Sequence, residues 1–165
     1  MLCMPYLVDG NNLFFAFRKA GEAMGRSGLA GRLGQLADIS GQRVAVVFDG
    51  PPPQGALAEQ VGDERIEVVF AGARTADAVL CERIAADSAP RRLVVVSTDH
   101  EIRRAARRRR CQGVRSEDFV EILAAMIERS ERPRKSEPPQ KRQGLTSQQA
   151  REWLKELNLD DETRE

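Results

Sequence analysis

Four aspartates stand at comparable places in the chain, and their type and placement are what could do chemistry. Asp9 closes the apolar run Tyr6-Leu7-Val8 and leads into Gly10-Asn11-Asn12; Asp49 closes Val44-Ala-Val-Val-Phe48. Asp99 follows the run Arg92-Leu-Val-Val-Val-Ser97, and Asp77 lies shortly after Ile66-Glu-Val-Val-Phe70, in the first turn of the segment that follows. Carboxylates gathered in a cleft repel, and raise one another's pKa unless a cation neutralises them. Hard oxygen donors suit Mg²⁺ or Mn²⁺, held by few protein groups so that water and phosphate complete the shell. One or two such ions can activate a water and stabilise the leaving oxygen of a phosphodiester. Each acid also has a plain structural alternative. Asp9 and Asn12 can satisfy the backbone donors of a turn, Asp49 can be a turn residue before prolines, and Asp77 can be a first-turn acid favoured by the helix dipole. What sets them apart is the shared position at strand ends.

A second chemical signal is basic. Arg103, Arg104 and Arg107 to Arg110 put six arginines in eight positions, and Arg115 follows. Across residues 99–115, seven arginines against Asp99 and Glu101 leave a local charge of +5 in a chain whose net charge is +1. On a helix, Arg103, Arg107 and Arg110 share a face with Arg104 and Arg108 beside it. Arg103, Arg104, Arg107, Arg108, Arg110 and Arg115 are therefore candidate phosphate ligands, with the salt sensitivity such contacts bring; a solvated face is the alternative. His100, the single histidine, adjoins Asp99 and is given no role.

The elements that position these groups follow from the apolar pattern. Each strand is a short, nearly continuous apolar run, the sign of burial on both faces. Helices are expected over Leu13–Met24, Leu29–Ile39, Ala76–Ala86 with Thr75 as N-cap, Glu101–Cys111, and Glu117–Arg129 capped by Ser116. Val114-Arg115 forms a brief fifth strand. Strands alternating with helices indicate an α/β fold with a mostly parallel sheet and helices on both faces. The strand-end loops of such a sheet converge on its carboxyl edge, where ligands bind. The Gly50-Pro-Pro-Pro-Gln-Gly55 loop leaves that same edge and cannot be regular structure.

At 165 residues the chain has room for one domain, 1–129, and an appendage. From Ser130 to Gly144 three prolines and five Lys/Arg replace large apolar residues, so 130–145 reads as a flexible basic linker. Thr146 and Gln149 form a capping box ahead of a short amphipathic helix within 146–165, where Trp153, Leu154 and Leu157 could fold back or dock a protein partner. Aromatics are scarce at 5%, which argues against a multi-ring platform for single-stranded bases. Cys3, Cys81 and Cys111 match no zinc spacing or disulfide framework, so a reducing cytoplasm is expected. No segment reads as a signal peptide or as a membrane span.

Leu7-Val-Asp-Gly-Asn-Asn12, Val46-Val-Phe-Asp49, Glu67-Val-Val-Phe70, Thr75-Ala-Asp-Ala-Val79 and Val96-Ser-Thr-Asp-His-Glu-Ile102 occur in the order and approximate spacing of one family. Over about residues 4–128 the chain resembles the YacP-like branch of the NYN domains, which are PIN-like nucleases. The resemblance implies a PIN-like three-layer α/β fold and metal-dependent cleavage of RNA, with Asp9, Asp77 and Asp99 as ligands of one or two Mg²⁺ or Mn²⁺ ions. It also implies that Asn12 supports the first acid or positions a water, with Asp49 as a further ligand candidate. Asn11 departs from the bulky residue common in relatives. Glu101 and Asp118 are the candidates for an additional carboxylate. The expected function is an endonucleolytic ribonuclease in RNA processing or decay. The alternative is a non-catalytic RNA- or ribosome-binding adaptor that docks a partner through the Trp153 helix. A nucleotide-binding domain fits less well, for want of a Gly-rich phosphate loop.

Overall fold

Apolar residues alternate in the direction they face along each strand, so every strand feeds two cores, and helices must cover both faces of the sheet. The computed structural model describes residues 6–22, 24–52 and 64–132. Among them are five strands and five α-helices in the order β1 (Tyr6–Asp9), α1 (Gly10–Lys19), α2 (Arg26–Ser40), β2 (Val44–Phe48), β3 (Ile66–Phe70), α3 (Ala76–Ala86), β4 (Val94–Val96), α4 (His100–Arg108), β5 (Gln112–Val114) and α5 (Ser116–Glu131). A 3₁₀ turn, Pro90–Arg92, precedes β4.

The strand order is β3-β2-β1-β4-β5, with every pairing parallel. The chain builds outward from β1 to β3, then returns to the other side of β1 for β4 and β5. That reversal opens a crevice between the carboxyl ends of β1 and β4, the usual ligand position in such sheets. The register pairs Val8 with Val96, so Asp9 and Ser97 are the next residues on two adjacent strands. One core joins Val8, Val46 and Val96 to Leu13 and Phe17 of α1, Leu33 and Leu36 of α2, and Phe119 and Leu123 of α5. The other joins Leu7, Val47 and Val95 to Leu80 and Ile84 of α3 and Ile102 and Ala106 of α4. The three-layer α/β reading therefore holds, and the mostly parallel sheet is wholly parallel among the described strands.

Boundaries moved where side chains cap backbone. The first helix begins at Gly10 rather than Leu13 and ends at Lys19, because Asp9 accepts from the Asn12 amide and nucleates it at once. A Cβ on Gly10 would collide with the Phe48 ring, so glycine is what lets α1 start this close to the end of β2. The second helix begins three residues earlier than expected, at Arg26, and Gly41 ends it with φ 64°. The arginine-bearing helix ends at Arg108, with Arg109 as C-cap and Arg110 left-handed at φ 63°, so Arg110 does not extend a helical face. Ser116 lies inside α5, and its buried hydroxyl finds no hydrogen-bond partner, so it is not the expected cap. No helix among the described residues is long and apolar enough to cross a membrane.

The outer strand is tied to the helix layer by charge. Arg83 of α3 donates from both guanidinium nitrogens to Glu67 of β3, at 3.0 and 2.6 Å. That hydrogen-bonded pairing holds Glu67 below its ordinary pKa of 4.5. A lowered carboxylate pKa adds stability that is present above the unfolded-state value and is lost as pH falls through the folded-state value. Glu67→Gln is expected to cost about 0.5–1 kcal/mol at neutral pH, the scale of a partly exposed pair. Urea denaturation of both proteins should show that difference shrinking as pH falls below 4.5 and through the folded-state value.

Candidate active site

Asp9 is 3% exposed, the most deeply buried acid of the crevice. Its Oδ1 accepts from the Asn12 backbone amide at 3.0 Å; its Oδ2 accepts from Asn12 Nδ2 at 2.6 Å and from Ser97 Oγ at 3.1 Å. Ser97, fully buried at the end of β4, also accepts from Asn12 Nδ2 at 3.1 Å and from the Asp99 amide at 3.0 Å. One hydroxyl thus donates once and accepts twice, its full complement. It joins the loop after β1 to the loop after β4. The side-chain hydrogens of Asn12 point at Asp9 and Ser97, so its bonds match support of the first acid.

Asp99 caps α4 by accepting from the Glu101 amide through Oδ1 at 2.6 Å. Asp49 reaches across from β2: its Oδ1 accepts from the Ala76 amide at 2.7 Å, and its Oδ2 from Asn11 Nδ2 at 2.6 Å. It braces the starts of α1 and α3 against each other. Thr75 caps α3 through the Ala78 amide at 3.2 Å, which fixes the first turn that carries exposed Asp77. Capping and site roles are thus compatible in these residues, because each carboxylate oxygen carries more than one lone pair.

The four acids share a field. Burial pushes the Asp9 pKa up most, the bonds from Asn12 and Ser97 pull it back, and the charges of Asp77 and Asp49 push it up further. Asp77, although exposed, is raised by partial desolvation against the sheet edge, then by the charges of Asp99 and Asp49. Among the described residues, the charges that raise these two groups are those of other carboxylates. The acids act on one another through charge rather than contact, since no three His, Cys, Asp or Glu side chains among the described residues converge into a ready metal cage. An all-oxygen donor set of this kind fits a hard divalent cation held by one or two carboxylates with water around it.

Among the described residues, neither extra candidate acid has a side-chain bond to the cluster. Glu101 is exposed and pairs with His100 at 3.3 Å, and Asp118 is exposed on α5. The α5 acid that reaches the β4 edge is Glu117, which accepts from Thr98 Oγ1 at 3.1 Å and lies 3.7 Å from Arg115 Nε. Its own backbone amide, then Thr98 and Arg115, hold its pKa down. Ser97, Asn11 and Glu117 escaped the sequence reading. The available signals were the hydroxyl directly after the fourth apolar run and the doubled asparagine beside Asp9.

The arginines divide by their packing. Arg104, Arg107 and Arg108 are exposed on α4, with no ion-pair partner among the described residues. Arg103 is half-buried with its Nε shut away from any partner, against Gly113 of β5. Arg109 donates from Nη2 to the Asp87 carbonyl at 2.9 Å, binding the ends of α3 and α4 together. The exposed stripe is therefore Arg104, Arg107 and Arg108 rather than Arg103, Arg107 and Arg110, and it descends from the cap residue Asp99 along the flank of the sheet. Trp153, Leu154, Leu157 and most of the expected linker lie outside the described residues.

No curated protein matches the chain. A crystal structure of Rae1 (YacP) from Bacillus subtilis superposes with a TM-score of 0.61 at 20% identity, covering 93% of this chain and 83% of that one. A tryptophan-to-leucine variant of the same Bacillus subtilis protein gives 0.60 at 21% identity over 77% and 79%. At these identities the likeness speaks for the fold. The sequence profile of the YacP-like NYN domain matches residues 6–163, nearly the whole length. The chain belongs to the YacP-like NYN domain family of PIN-like nucleases.

Proposed function

We propose that the chain is a divalent-metal-dependent ribonuclease that hydrolyses phosphodiester bonds endonucleolytically at the β1–β4 crevice. The observation that carries this reading is the mutual field of Asp9, Asp49, Asp77 and Asp99 at the carboxyl edge of the sheet. PIN-like nuclease domains generally use divalent metals. Asp9, Asp77 and Asp99 would hold Mg²⁺ or Mn²⁺, with Asp49 bracing the cluster from the β2 side. When bound, such an ion supplies Lewis acidity to the phosphate and makes water a better nucleophile.

The chain's own groups do the rest. Asn12 and Ser97 keep Asp9 in one orientation and spend their hydrogens doing so. The hydrogen bonds Asp9 accepts favour its ionised form against the burial that opposes it. Arg104, Arg107 and Arg108 hold backbone phosphates beside the crevice without reading bases. RNA as substrate follows from the family.

Purified protein is expected to cut RNA with Mg²⁺ or Mn²⁺ and to stop in excess chelator. The triple change of Arg104, Arg107 and Arg108 to Glu should weaken RNA binding by about 100-fold or more at low salt and flatten its salt dependence. Absence of cleavage under every divalent metal would overturn the catalytic reading. Unchanged binding by the triple variant would overturn the phosphate assignment alone.

A further inference from the structure

The ribonuclease reading leaves one aromatic ring without a task. Phe15 is 61% exposed on α1, although Leu13, Ala16 and Phe17 around it are buried. Among the described residues Ile122, on α5, is the other large apolar side chain in the open, at 46%. Phe15 follows Asn11 by four residues and so lies on the same helical face. Helical side chains lean toward the N-terminus, which carries the ring over the turn that bears Asn11. Asn11 holds Asp49, and Asp49 acts on both Asp9 and Asp77. The backbones of Asn11, at the outer rim of the acid crevice, and Phe15 are thus about 6 Å apart along the helix axis.

Its surroundings are shaped for a flat, negatively charged ligand. Phe14 meets Phe15 edge to face, with ring centroids 6.0 Å apart at 68°, which steadies it. Arg18 sits with its guanidinium carbon 6.0 Å from the Phe14 ring, and Lys19 follows; both are exposed. An open aromatic face with two cations behind it and a carboxylate crevice ahead has the chemistry of a nucleotide seat: a ring for the base, cations for its phosphates. A protein interface would call for a contiguous apolar patch, and the helix surface after Phe15 carries exposed Arg18 and Lys19 instead.

The geometry points to Phe15 as the stacking residue for an unpaired base next to the scissile phosphate, so that the enzyme selects single-stranded RNA. This inference rests on the ribonuclease reading. Paired bases keep their faces inside the duplex and offer nothing to stack on, whereas an unpaired base can be splayed onto a side-chain ring. Scarcity of aromatics excludes a platform of several rings, but one ring suffices to position one base.

The test uses the full chain carrying Asp99→Asn, so that RNA stays intact, titrated with single-stranded RNA containing 2-aminopurine and with the same strand in a duplex. Adding Phe15→Ala is expected to weaken single-strand binding about 10-fold and to abolish the aminopurine quenching. Phe15→Trp should restore both, and weak duplex binding should not move. Unchanged affinity and quenching in Phe15→Ala, or equal weakening for the duplex, would overturn the inference. So would sedimentation showing that Phe15→Ala dissolves a dimer while RNA binding stays intact, since the ring would then serve a protein interface. Failure of the ribonuclease reading would be seen separately, as an unsubstituted chain that neither binds nor cuts RNA.

Discussion

Asp99→Asn is expected to abolish RNA cleavage, by about 10³-fold or more, which corresponds to ~4 kcal/mol of lost transition-state stabilisation. It should do so without loss of folding. The Asp99 side chain caps α4 through Oδ1 and the Glu101 amide, and asparagine caps as well as aspartate. Its removal also lowers the charge acting on Asp77, whose pKa partial desolvation and the Asp99 and Asp49 charges hold above the ordinary 3.8. A carboxylate with a raised folded-state pKa binds protons more tightly when folded, so stability declines as pH rises from the unfolded-state value through the folded one. At neutral pH that cost is fully present, and Asp99→Asn relieves part of it. The melting temperature should therefore match or slightly exceed the parent's, and the Asp77 pKa, followed by NMR titration of the carboxyl carbon, should fall. A variant that still cuts RNA at the parent rate would remove Asp99 from the mechanism.

Ser97→Ala is the second large effect, and it acts at one remove from the chemistry. The hydroxyl is fully buried and serves Asp9, Asn12 and Asp99 together. Alanine leaves the Asp99 amide without its acceptor and takes one hydrogen bond each from Asp9 and Asn12. The cost should be about 1–3 kcal/mol, the usual penalty for stranding a buried polar group. Cleavage should drop about 10–100-fold, as for other residues that orient ligands without touching substrate. The loss should be carried mainly by apparent metal affinity, so raising Mn²⁺ in the assay should recover part of the rate. That recovery marks a positioning role; a Ser97→Ala protein with parental stability and rate would show that the hydroxyl holds nothing of consequence.

Much of the architecture was legible in local pattern. Continuous apolar runs such as Val44–Phe48 demand burial on both faces, and that alone calls for a parallel sheet with helices on each side. Acids at the ends of those runs then had to meet at one edge, and Asp9, Asp49, Asp77 and Asp99 do share a field there. Element ends were less legible because they depend on which side chain wins a backbone amide. Asp9 starts α1 three residues before its apolar face begins, and Arg110 drops out of the arginine face because the helix stops at Arg108.

Fold class, the strand-end placement of the acids and the local excess of arginine are properties of residues close in the chain, and could be read there. How those residues are used depends on segments that meet only in the folded protein. Ser97 became the centre of the site because β4 lies beside β1 in a register that brings it next to Asp9, a contact between residues 88 positions apart. Asp49 proved to be a brace, since the amides it accepts from belong to the first turns of α1 and α3. The run of six arginines divided: Arg104, Arg107 and Arg108 are exposed on α4 and Arg110 beyond its end, Arg103 is half-buried, and Arg109 is spent on a carbonyl at the end of α3, because packing against α3 and β5 gives identical side chains different surroundings. Charge is written in the chain, whereas burial and partnership arise only when distant segments meet.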